Sequence, residues 1–172
     1  AALALLLLPI VFPRIGLTLD AATVVVVLAM AALGLNLLIG YTGLVSFGHS
    51  AWFGIGGYAA ALAQLNWFPN QMWLPLLFAL AFTAGLSLVV GFLILRRRGV
   101  YFSLLTLALC ALTFAIAFRW TALTGGEGGL GGIERGKLGP VDLNGHVAYY
   151  TLVAVIAFAV VFGILMIWPG AG

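Results

Sequence analysis

Charge is scarce in this sequence. Only 6% of its 172 residues are Asp, Glu, Lys or Arg, where a soluble domain of that length carries about a quarter. The four carboxylates are Asp20, Glu127, Glu134 and Asp142. All lie outside the long apolar runs, so no paired carboxylate is available there for acid–base catalysis or proton relay. The single cysteine, Cys110, excludes an internal disulfide and a multi-cysteine metal site. It sits in an apolar run, as an inert buried thiol does. His49 and His146 stand in different surroundings and have no zinc-ligand spacing, so no metal site is expected. No catalytic set is present. The Gly-rich run at 125–132 lacks the Gly-Lys-Ser/Thr ending of a phosphate loop, so any ATP is hydrolysed by another chain. Seven basic residues without a basic aromatic stripe give no nucleic-acid surface. No cofactor is implied.

What is abundant is apolar. The chain is 65% hydrophobic with a mean hydropathy of +1.25. The apolar runs are continuous, not alternating, which points to spanning helices and away from a barrel. The expected architecture is all-α, a polytopic membrane protein with about six transmembrane helices. The first ends at Phe12, before Pro13-Arg14. The others cover Ala21 to about Ile39, Leu44 to about Leu65, Leu74 to Leu95, Val100 to Trp120 and Ala148 to Trp168. A single transmembrane domain over 1–172 is expected. The chain opens on Ala1 inside an apolar run and ends just after another, so it reads as a fragment of a longer protein.

Arg96, Arg97 and Arg98 have no acidic neighbour and form a cytoplasmic anchor. Counting helices outward, the loops at 14–20, 66–73 and 121–147 then face outside. Two tryptophans, Trp67 and Trp73, suit the 66–73 turn to a membrane interface.

The stretch from Gly34 to Tyr58 is the exception among the runs. It holds Asn36, Gly40, Thr42, Gly43, Ser46 and His49, groups that lipid penalises unless they face protein or water. A helix break is expected at Gly40–Gly43, with the polar side chains near it satisfying freed backbone groups or bordering a translocation path. Asn36 either bonds exposed carbonyls or touches substrate. His49 is the only Asp, Glu, Lys, Arg or His between Asp20 and Arg96. It is either a functional group or a neutral imidazole bonded to backbone. Two stripes of small residues follow helical spacing. Ser46, Ser50, Gly54, Gly57 and Ala61 form one, with Ser50, Gly54 and Gly57 as helix-packing positions. Ser103, Thr106, Cys110, Thr113 and Ala117 form the other, with Ser103, Thr106 and Thr113 as path-lining candidates. Each stripe is open to two readings, close packing or path lining. In the glycine-rich loop, Leu130 and Ile133 favour a docked loop over a free linker.

Three blocks carry a resemblance. The first runs from Gly34 to Tyr58, with Gly-Leu-Asn-Leu-Leu, Gly-Tyr-x-Gly and Ser-x-Gly-His. The second is Leu95 to Phe102 with Leu105-Thr106-Leu107-Ala108. The third is Leu123 to Ile133. In that order and spacing the sequence resembles the membrane permease of ABC importers for branched-chain amino acids. The resemblance implies a second homologous permease, two cytoplasmic ATPase subunits and an extracytoplasmic substrate-binding protein as partners. It also implies the cytoplasmic (inner) membrane of a bacterium or archaeon and contact with membrane lipid. The external loop at Gly125, Gly126, Glu127 and Gly129 is the expected contact for the binding protein. Urea or a short amide is an alternative cargo. A non-ABC channel or carrier would need buried carboxylates or a charged filter.

Overall fold

The structure is a computed structural model. It describes residues 18–96, 99–133, 136–138 and 141–167, together with Pro9, Val11, Phe12, Arg14 and Gly16. Most of the first expected span lies outside the described residues, as do Arg97 and Arg98. The elements are α1 (Leu19–Thr42), α2 (His49–Asn66), α3 (Trp73–Ile94), α4 (Val100–Arg119), the single turn α5 (Thr121–Thr124) and a 3-10 turn at Gly126–Gly128. Two strands of two residues each, β1 (Lys137–Leu138) and β2 (Val141–Asp142), precede α6 (His146–Ile167). Among the described residues the fold is all-α apart from those four residues.

Among the described residues four helices are long and apolar enough to cross a membrane: α1, α3, α4 and α6. Between 6% and 17% of their spanning windows is buried inside the chain, so most of their apolar surface is left for lipid or other chains. Helix α2 has 18 residues but is less apolar, with His49, Ser50, Gln64 and Asn66 near its ends.

Helix α1 starts where the Thr18 hydroxyl accepts the N–H of Ala21 (3.3 Å), with Asp20 in the first turn facing the positive end of the helix dipole. It runs past Ile39 to Thr42. Gly43 then takes φ +64°, the left-handed value that closes helices. Its N–H bonds Ile39 O (2.9 Å). Helix α2 begins at His49, five residues later than the apolar run suggests, because residues 43–48 have no regular structure.

The chain forms two compact units. One comprises residues 1–34 and 139–172. There Ala22 and Val26 of α1 pack with Tyr150, Val153 and Ala157 of α6. At the N-terminal ends of both helices, His146 Nδ1 lies 2.9 Å from Asp20 Oδ1.

The other unit comprises residues 35–138 and contains α2, α3 and α4. Helix α2 packs against both of the others. Small side chains make this possible: Ala51, Ala59 and Ala63 of α2 are buried, as are Pro75 and Ala79 of α3. The α2–α3 hairpin is closed by an edge-to-face contact of Trp67 with Phe78, ring centroids 5.0 Å apart.

Candidate functional site

Residues 43–48 form a strap that leaves α1 and lies against the first half of α4. Each end of the strap has a reason to be there. At its start, Thr42 Oγ1 donates to Leu38 O (2.6 Å) and accepts the N–H of Leu44 (3.3 Å), so one hydroxyl serves both the frayed helix end and the departing chain. At its finish, Gly48 is buried and its Cα faces the backbone of α4. A Cβ there would collide with the carbonyl of Thr106. Only glycine lets the two backbones come so close.

Between those points two hydroxyls of α4 hold the strap. Ser103 Oγ donates to Val45 O (2.6 Å). Thr106 Oγ1 accepts the N–H of Phe47 (3.2 Å) and donates to Ser103 O (2.8 Å), so both of its roles are filled. One and two turns further on, Ser50 Oγ lies 3.3 Å from Cys110 Sγ, and Thr113 Oγ1 donates back to Leu109 O (2.6 Å). The two small-residue stripes read from the sequence thus meet each other over Ser46–Ser50 and Ser103–Cys110. Ser46 is 8% exposed and Thr106 5%, which places them inside the seam. Thr106 is six residues into α4, about 9 Å from its start, so the strap sits below the helix end and not on top of it.

The remaining candidates divide by exposure. Asn36 and Gly40 are exposed within α1, and Tyr41 and Thr42 are exposed at its end. On the strap, Val45 and Phe47 turn outward, Phe47 to 60% exposure. His49 is half-buried at the start of α2. A Cβ at Gly54 or Gly57 would meet nothing within 4 Å in this chain. The close approach of α2 to α3 falls instead at Gly56, where a Cβ would stand 3.5 Å from Thr83 Oγ1. Arg96, the one described member of the arginine cluster, stacks over the Phe92 ring at 4.5 Å.

At the other end of α4 the glycine-rich loop is docked. The Thr124 hydroxyl, 5% exposed, bridges Ala117 O (2.5 Å) and Trp120 O (2.9 Å) and accepts the N–H of Gly126 (3.3 Å). Gly125, Gly126 and Gly129 all have left-handed φ. A Cβ at Gly125 would collide with the Gly129 backbone, and one at Gly126 would sit 2.8 Å from Thr121 Cγ2. Glu127 is exposed at the crest. Farther along, buried Gly136 packs on the α2–α3 turn, where a Cβ would lie 3.0 Å from the Asn70 carbonyl carbon. Gly136 of the long loop therefore lies at the 66–73 turn, at one end of this unit.

Gly48, Thr124 and the Asp20–His146 pair were not singled out from the sequence. Gly48 stood within the first block, and Thr124 directly before a glycine run. The pair joins residues 126 apart and has no local signal.

Among the described residues no three His, Cys, Asp or Glu side chains gather as a metal site would need. What is present is a multi-pass helical membrane protein with a broken polar segment seated on a hydroxyl-bearing helix. Residues 17–169 match the family model described as the permease component of the branched-chain amino acid transport system, and the chain belongs to that family. It is 31% identical over 121 residues to the high-affinity branched-chain amino acid transport system permease protein LivM of Escherichia coli (strain K12), covering 70% of this chain and 28% of that protein. It is 30% identical over 119 residues to the LivM protein of Salmonella typhimurium (strain LT2), covering 69% and 28%. The chain thus spans little more than a quarter of the length of these relatives. No solved structure matches it.

Proposed function

We propose that this chain is part of the permease subunit of an ABC importer in the cytoplasmic membrane. Its cargo is branched-chain aliphatic amino acids. A second homologous permease completes the membrane portion, two cytoplasmic ATPase subunits supply the energy, and an extracytoplasmic binding protein delivers the cargo. The permease contributes a path and no covalent chemistry. The observation that carries this reading is the exposed face at 36–47. A spanning helix that turns the Asn36 amide out of its own chain does not leave it to hydrocarbon. Beside it, Gly40, Thr42 and the turn at Gly43 add polar backbone, while Tyr41, Val45 and Phe47 add apolar surface. A zwitterion with an aliphatic side chain needs both. Ser103 and Thr106 serve that face indirectly, by fixing the strap from behind, and Ser46 is the strap residue buried on that side.

The test is uptake in the complete reconstituted transporter. Asn36→Trp and Thr42→Trp, both at exposed positions, are expected to reduce uptake with assembly and basal ATP hydrolysis retained. Normal uptake in both variants would leave the segment a structural hinge away from the path.

A further inference from the structure

Helix α4 has two faces. Ser103, Thr106, Cys110 and Thr113 lie on one, where Ser103 and Thr106 hold the strap, Cys110 meets Ser50 of α2 and Thr113 bonds back to its own helix. At about 100° per residue, Leu105, Leu112, Ile116 and Arg119 lie on the opposite one. All three apolar members are exposed. The face carries no hydroxyl from Leu105 onward and ends at a cation. Ala115, Ile116, Arg119 and Trp120 line an open groove of ≈ 480 Å³ there.

We infer that this groove is a phospholipid site, with the lipid phosphate on the Arg119 guanidinium and one acyl chain along Ile116, Leu112 and Leu105. Three observations converge on a lipid. The helix has 20 residues, about 30 Å, which matches the hydrocarbon core and puts Arg119 and Trp120 at a membrane interface. Arg119 has no ion-pair or hydrogen-bond partner among the described residues, so its charge is open to an anion. From Leu105 to Arg119 the stripe is about 21 Å long, enough for an acyl chain that fills half of a bilayer core of about 30 Å. A substrate path would need polar groups along that length, and this face has none. The planar guanidinium can donate to two phosphate oxygens at once, and the Trp120 ring suits the glycerol and ester level of the leaflet. The site does not depend on which cargo the transporter carries.

The experiment places a photo-crosslinking phenylalanine analogue at Leu112 in the complete transporter in native membranes and determines the mass of the adduct. A phospholipid adduct is expected. Arg119→Gln should reduce its yield about tenfold, as the loss of a charge-assisted contact implies, and Arg119→Lys should retain most of it. A protein adduct at Leu112 would assign the face to a partner subunit and overturn the inference. So would a lipid adduct whose yield is the same in Arg119→Gln, which marks bulk lipid. If Arg119→Gln does not accumulate, the low-yield criterion passes to Arg119→Ala, and the identity of the wild-type adduct still decides against a lipid if it is protein.

Discussion

Residues 43–48 reach the first half of α4, and residues 121–129 fold back on its last turn. Both segments are rich in glycine, and each is pinned by a buried threonine, Thr106 or Thr124. The difference lies in how far the bonds reach. Thr106 accepts from Phe47, 59 residues away, whereas Thr124 bonds carbonyls seven and four residues before it. The strap therefore takes its place only once α4 is there to receive it. The loop carries its own instructions and needs only the end of one helix. A segment held by long-range bonds can be coupled to the movement of helices, while a locally folded loop can present a fixed surface to another protein.

The sharpest way to break this comparison is to ask whether the two segments lie at opposite membrane faces. In a Cys110→Ala background, cysteines at Val100 and Gly128 are expected to label from opposite sides, Val100 from the cytoplasm. These positions are exposed or open and need no left-handed φ. Labelling of both from one side would end the topology and the contrast together.

The next largest effect is expected from Gly48→Ala. Its methyl group meets backbone, which cannot swing aside, so the strap must lift off α4. Overpacking of this kind costs about 3 kcal/mol, the upper part of the usual range. Thermal unfolding of the full-length protein in detergent should show it. An unchanged melting temperature would mean that the seat at Thr106 is loose. Thr106→Val, similar in shape, removes the acceptor for a part-buried N–H and is expected to cost about 2 kcal/mol. If the loss is no larger than that of the corresponding change in the loop, long-range pinning is not what distinguishes the strap.

That corresponding change is Thr124→Val, expected to cost about 1 kcal/mol because the freed groups are near water. The readout is protease cleavage within 121–133, which should accelerate while global unfolding stays nearly constant. Coupled loss of both would contradict a self-contained loop. The smallest effect belongs to Gly54→Leu. With nothing within 4 Å in this chain, its effect on the stability of the isolated subunit is expected to stay within about 0.5 kcal/mol. A defect confined to complex assembly would show that the stripe serves a contact with another subunit.

Composition and run length settled the class of the protein. With so few charges and such long apolar runs, helices in a bilayer are the only economical way to satisfy the backbone. The polar cluster at 36–49 marked the break, and Gly43 was legible because a chain that must leave a helix sharply needs a left-handed residue. Leu130 and Ile133 beside the glycine run favoured a docked loop, and the loop is docked. Helical spacing placed Ser50, Gly54, Gly57 and Ala61 on one helix and Ser103 to Ala117 on another, while Ser46 lies on the strap before α2.

Spacing cannot say what a face meets. That Ser103 and Thr106 bond the strap, that the strap lasts until His49 and shortens α2, and that Gly48 and Gly56 rather than Gly54 and Gly57 lie at the close approaches were decided by tertiary structure. The reason is physical. A glycine in a helix has the same local geometry whether a neighbour is near or absent, and a hydroxyl can bond its own helix or a distant chain at similar energy. Only the arrival of a segment from 58 residues away, as Val45 arrives at Ser103, selects between them.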